Sequence, residues 1–146
     1  MTEEVLITIR GLHTVQSADG EEEIEVTYPG KYRRIGPTGI LLYKEVTEEG
    51  SSDNMIKFRE GSMELVKRGR IATHMLFECG KKTYTAYDTP FGTIDLGLSA
   101  SSVEVWEQEK QISLMTRYAL ESNGMFLSES SISIKVCPRK TDSGEE

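Results

Sequence analysis

Apolar and polar residues alternate with a period of two along most of this chain, the repeat expected of strands with one face buried. Val5, Ile7 and Ile9 alternate with Leu6, Thr8 and Arg10, and the apolar phase then moves to Leu12 across Gly11, which suggests a bulge or bend in the strand. Ile24, Val26 and Tyr28 form a second run that Pro29-Gly30 is expected to break, with Tyr32 to Ile35 resuming it. Gly36-Pro37-Thr38-Gly39 reads as a turn into a third run, Ile40 to Val46. Two short runs follow at 55–59 and 62–67. Further on, Ile94, Leu96 and Leu98 alternate cleanly, and a phase shift over 99–102 fits another bulge or bend. Ile112, Leu114, Thr116, Tyr118 and Leu120 make the longest pure alternation, and Ser122-Asn123-Gly124 turns the chain into a last run ending in Ile132, Ile134 and Val136.

At the centre lies MLFECGKKTYTAYDTPFGTIDL, from Met75 to Leu96, which reads as a hairpin meander. A three-residue loop at 80–82 would pair Cys79 with Thr83 and put Met75 and Phe77 on one face with Thr83, Thr85 and Tyr87. In the second turn Pro90 fixes one dihedral and a strand starts at once after Gly92, so Gly92 should hold a conformation costly for other residues. The segment 47–54, TEEGSSDN, is the most loop-like in the interior of the chain.

No stretch holds a 3.6-residue apolar period with caps at both ends. The expected fold is all-β: an antiparallel up-and-down meander barrel of roughly eight to ten strands with little helix, since so large a sheet curls and closure removes its exposed edges. A two-sheet sandwich is the second choice. Residues 1–137 form one domain in this reading, and 138–146, without apolar residues, a flexible tail.

Composition narrows the function classes. The 146 residues are 37% hydrophobic and 28% charged, as in a soluble globular domain, with no apolar run long enough to cross a bilayer. Twenty-four acids against 17 bases give a net charge of −7, which argues against general binding to nucleic acid or to membrane surfaces. Basic clusters at Lys31, Arg33, Arg34, at Lys67, Arg68, Arg70 and at Lys81, Lys82 read as hairpin ends balanced by acids. The acidic start, MTEEVLITIRG, is not a secretory leader, so the expected compartment is the cytoplasm. Cys79 and Cys137 form no metal or redox pattern and are expected to be buried thiols.

With Met75-Leu76-Phe77 followed by GKKTYTAYDTPFG over 80–92 in view, the sequence resembles the YwiB-like family of small bacterial proteins. Phe77, Gly80, Thr83, Tyr87, Phe91 and Gly92 at these spacings carry the likeness. It implies a calycin-like, lipocalin-like barrel in a bacterial cytoplasm, with no established activity and no catalytic residue to transfer. The chain departs from better-known calycins: its single tryptophan is Trp106, so the Gly-x-Trp signature of secreted lipocalins is absent. The connection after Gln16 is too short for the helix pair of fatty-acid-binding proteins. Arg117 and Tyr118 are adjacent and must point to opposite faces, so the carboxylate clamp of those proteins is missing too.

His13 and His74 are the only histidines and sit in no zinc spacing, there is no Gly-x-Ser-x-Gly elbow, and no phosphate-binding glycine loop opens a helix. No arrangement reads as an active site, and no cofactor or metal is expected. The remaining signal is hydroxyl side chains on otherwise apolar faces: Thr83, Tyr87, Thr116 and Tyr118 are the candidate ligand-binding residues. Two readings stand: a barrel that binds a small apolar ligand in its lumen, or a non-catalytic interaction module with a filled core that meets a protein partner or a second copy of itself. Hydroxyls hydrogen-bonded within the core would account for the same pattern without a ligand.

Overall fold

The computed structural model describes residues 3–15, 21–48, 50–69, 72–89 and 91–139; residues 12–15, 21, 22, 47 and 87–89 are described by their backbone alone. The expected Asp19-Gly20 turn and most of the C-terminal tail lie outside the described residues. Ten strands account for nearly all of the rest: β1 (Glu4–Val15), β2 (Glu21–Ile35), β3 (Thr38–Thr47), β4 (Gly50–Arg59), β5 (Ser62–Arg68), β6 (Thr73–Glu78), β7 (Lys82–Thr89), β8 (Gly92–Glu107), β9 (Ile112–Ser122) and β10 (Met125–Pro138). Each pairs antiparallel with its sequence neighbour except at β6 and β7, and β1 pairs with β10, so the sheet runs β6-β5-β4-β3-β2-β1-β10-β9-β8-β7. This is an up-and-down barrel, closed everywhere but along one seam, and the sandwich alternative falls because there is one sheet.

The seam corrects the expected hairpin. The turn after β6 forms, with Lys81 N–H donating to Glu78 O at 3.0 Å, but Cys79 does not pair with Thr83. Cys79 N–H donates to Gly61 O and Gly80 N–H to Ala100 O, which draws the two strands to different neighbours. Side chains span the gap instead: Thr83 Oγ1 donates to Leu76 O at 2.7 Å and Thr85 Oγ1 to His74 O.

Other expectations change as well. Pro29-Gly30 does not break β2, which stays paired with β1 from Glu21 through to Lys31, Leu6 opposite Pro29. What ends there is the β2–β3 ladder, whose last pair is Gly30 with Tyr43; Pro29 has no N–H to continue it. The segment 47–54 is mostly strand, since β3 and β4 pair out to Thr47 opposite Gly50. Gly11 causes no bulge, both ladders of β1 running through it in register. The bulge over 99–102 does form, as a register shift between Ala100 and Ser102. Gly39 belongs to a strand rather than to the turn: the Phe58 ring lies where its side chain would be, 2.2 Å from the site of an added Cβ. Asn123 and Gly124 both have positive φ, the two-residue hairpin geometry that Asn-Gly favours. Gly92 has φ +123°, as its turn required.

Inward positions fall into two halves. One end is filled by Leu41, Ile56, Phe58, Met63, Phe77, Val103, Ile112, Leu114 and Val136, all buried. Across that end Arg34 of β2 reaches Glu107 of β8 at 2.5 Å, bridging strands that are not neighbours in the sheet. Charged groups elsewhere pair along the wall, as in Arg10 with Glu23 and Glu25 and Lys82 with Glu121. Both cysteines are free but exposed, not buried. Cys137 alternates with the buried Val136 and so faces outward, and Cys79 sits at the mouth of a turn.

Candidate functional site

The strand phases that fill the closed end become polar toward the other. On β3 the inward series runs Leu41, Tyr43, Glu45; on β4 it runs Phe58, Ile56, Asn54, Ser52; on β5 it runs Met63, Leu65, Lys67. Register then lays Gly30, Tyr43, Asn54, Lys67 and Thr73 in one row across β2 to β6. Above this row β2 has left β3, and the gap is spanned by the stacked rings of Tyr28 and Tyr43, 4.7 Å between centroids.

A cavity of about 360 Å³ opens here, walled by Ile9, Ile24, Val26, Leu65, Met75 and Ile132 on its apolar side and by Tyr28, Tyr43, Glu45, Asn54 and Lys67 on its polar side, with Tyr118 at its floor. A larger hollow of about 780 Å³ lies outside the wall along the β8 bulge. Its lining is mostly glycine, alanine, serine and charged residues, without the cluster of large aliphatic side chains that walls the lumen, so the lumen is the better candidate although it is the smaller.

Glu45 organises the polar side. Lys67 Nζ stands 2.9 Å from its Oε1, the Tyr28 hydroxyl donates to Oε2 at 3.3 Å and Ser52 Oγ donates to Oε1 at 3.5 Å. The Lys67 bond, chiefly, holds the Glu45 carboxyl below the usual carboxylate range. Burial pushes the Tyr28 and Tyr43 phenols up, helped by the nearby Glu45 charge. These side chains are therefore far from titrating near neutrality, unlike a poised general acid or base.

The four hydroxyl residues singled out from sequence do not gather in one place. Thr83 serves the seam. Thr116 is fully buried and spends its hydroxyl on Ser102 O, 2.8 Å away across the β8 bulge. Tyr118 is 5% exposed, its ring edge-on to Phe77 at 4.9 Å and its hydroxyl hydrogen-bonded with Ser130; it touches the cavity. Tyr87 pairs with Ile94 through its backbone, and its side chain lies outside the described residues. As the sequence required, Arg117 points out and Tyr118 in. The sequence reading missed Tyr28, Tyr43, Glu45, Asn54 and Lys67. Extending the inward phase of Leu41 by two and by four residues would have found Tyr43 and Glu45.

The comparisons agree with this architecture. Over 104 residues, 71% of this chain and 73% of the relative, the sequence is 25% identical to the uncharacterized beta-barrel protein YwiB of Bacillus subtilis (strain 168). The crystal structure of the ywiB protein from Bacillus subtilis superposes with a TM-score of 0.78 at 21% identity, covering 96% of both chains, a likeness of fold. Residues 7–134 match the family described as Domain of unknown function (DUF1934), and with most of the chain matched, this protein belongs to that family of β-barrels.

Proposed function

We propose that this protein is a non-catalytic barrel that binds one small, largely apolar molecule at the open end of its lumen. The observation that carries the reading is the cavity of about 360 Å³, in which Ile24 and Val26 point inward yet remain exposed, next to a polar wall built around Glu45. Its size falls at the lower end of the ~300–1,000 Å³ typical of ligand sites. Apolar side chains on an inward face that no other side chain covers lose little by staying empty and gain by being covered. Glu45 is held below the usual carboxylate range and the Tyr28 and Tyr43 phenols are pushed up, away from neutrality, which favours binding over catalysis. Two free, exposed thiols fit a reducing compartment such as the cytoplasm.

Native mass spectrometry of the protein purified from its own host tests this directly. A stoichiometric adduct of small mass, lost on denaturation and reduced when Ile24→Trp fills the mouth, is expected. Adduct-free protein that also fails to take up apolar probes would end the lumen reading.

A second reading draws on a different observation. Phe91, Ile94, Met125, Phe126 and Leu127 are all exposed on two hairpins at the open end, an apolar rim of the kind that meets a protein partner or a second copy. Sedimentation of the purified protein across a concentration series, with Phe126→Ser beside it, separates the two: self-association abolished by that change would favour the rim.

A further inference from the structure

The head-group chemistry of the lumen ligand can be read from which polar atoms the barrel satisfies by itself. Asn54 sits midway along the row from Gly30 to Thr73 and is 5% exposed. Its amide nitrogen donates to Ser52 Oγ at 3.4 Å, and among the described residues its amide oxygen accepts nothing. Turning the amide over leaves the other atom in the same position, so one polar atom of a buried side chain lining the cavity goes unpaired either way. Directly opposite on β3 is Tyr43, whose hydroxyl likewise makes no hydrogen bond among the described residues. Facing side chains in such a pair start from Cβ atoms about 5 Å apart, and both residues line the same cavity.

The ionic part of the wall is in the opposite condition. Glu45 already receives Lys67, Tyr28 and Ser52, and Lys67 cancels its charge. A ligand carboxylate would have to share Lys67 with a carboxylate already in place, and a ligand ammonium would have to displace Lys67 from Glu45. Either loses an existing bond to make a new one.

We infer that the cavity takes a compact apolar molecule bearing one uncharged head that both donates and accepts a hydrogen bond, a hydroxyl or a primary amide, held between Asn54 and Tyr43. The inference rests on the lumen-binding reading above and adds the class of ligand. An uncharged head donates to the free amide oxygen and accepts from the phenol, leaving the Glu45–Lys67 pair intact. The cavity of about 360 Å³ has room for a body of one or two rings.

A matched series on one ring system tests it by calorimetric titration at neutral pH: naphthalenemethanol, methylnaphthalene, naphthalenecarboxylate and naphthylmethylammonium, the same positional isomer throughout. The carbinol should bind about tenfold tighter than methylnaphthalene and tighter than either ion. Tyr43→Phe, which keeps the ring and its stacking, should weaken the carbinol severalfold toward the level of methylnaphthalene and leave methylnaphthalene unchanged. Ile24→Trp, at an exposed rim position, should weaken every probe. Tighter binding of either ion, or a carbinol no better than methylnaphthalene, overturns the head-group assignment while lumen binding stands. Binding untouched by Ile24→Trp places the probe elsewhere and overturns it too. If no member of the series binds, the head-group assignment and the lumen reading fall together.

Discussion

Replacing Thr116 by valine tests whether a hydroxyl on an apolar strand face belongs to the wall or to a ligand. Thr116 is fully buried, and its Oγ1 donates at 2.8 Å to the carbonyl of Ser102, the residue at which the β8–β9 register resumes after the bulge. Valine has nearly the same shape, so no cavity opens and packing against Val103 and Ile132 is kept. The lost hydrogen bond costs about 0.5–1.5 kcal/mol, and a carbonyl left short of a donor in the interior raises this toward about 3 kcal/mol. The added methyl returns about 0.8 kcal/mol of burial. A net loss of about 1–2 kcal/mol is expected. With a urea slope of about 2 kcal/mol per molar, the unfolding midpoint should fall by about 0.5–1 M with the slope unchanged. Thr116→Ser is the control: it keeps the hydroxyl, deletes the methyl and should cost about 1 kcal/mol through the void alone. Because the hydroxyl is committed to Ser102, neither change should alter the affinity of a lumen probe. A valine variant as stable as the parent would refute the structural role, and one of full stability with weakened binding would return Thr116 to the ligand.

Three further outcomes follow from the same geometry. Tyr118→Phe removes a hydroxyl bonded with Ser130 while keeping the ring against Phe77, and should cost about 0.5–1.5 kcal/mol in a denaturant melt; an unchanged midpoint would mean that the hydroxyl is solvated from the cavity. Gly92→Ala meets no atom within 4 Å, so its cost of about 1 kcal/mol or more comes from backbone strain at φ +123°, and a neutral result in the same melt would remove that turn argument. Glu45 has a folded pKa below its unfolded value, so its stabilisation is complete above the unfolded value and lost as pH falls through the folded one. The stability gap between parent and Glu45→Gln should therefore close on going from about pH 6 to about pH 3, and a gap independent of pH would contradict the Lys67 pairing.

Alternation made the strands legible wherever one phase was apolar. Ile112 to Leu120 and Ile132 to Val136 needed nothing more, since burial on one face leaves a repeat of two in hydropathy. The same rule hid the start of β4. Ser52 and Asn54 face inward and Ser51 and Asp53 outward, but both phases are polar, so no repeat was visible and the segment read as a loop. The seam was illegible for a different reason: short turns favour hairpins locally, while Cys79 and Gly80 donate to Gly61 and Ala100, partners 18 and 20 residues away. The candidate site failed on the same ground as β4. Searching apolar faces for hydroxyls found Thr116 and Tyr118, which the wall uses, and passed over Glu45, Asn54 and Lys67, because the inward phase itself turns polar toward the open end.

That the polar end holds a cavity follows from the strand count. A ring of about eight strands is just wide enough for side chains to fill, and ten strands enclose more. At the closed end the surplus is taken up by large rings: Phe58 lies over the bare backbone of Gly39, Tyr32 stacks toward Phe58 at 6.5 Å, and Phe77 meets Tyr118 edge-on. Toward the open end the inward residues of β4 and β10 shrink to Ser52, Asn54, Ser128 and Ser130, while β2 swings away from β3 beyond Gly30 and widens the ring further. Small side chains in the wider half leave volume that the chain does not fill. Tyr28 holds that gap by stacking on Tyr43 and donating to Glu45, two contacts that brace the walls without occupying the space between them. A barrel under selection only for a packed core would reverse this gradient, putting its largest rings where the ring of strands is widest.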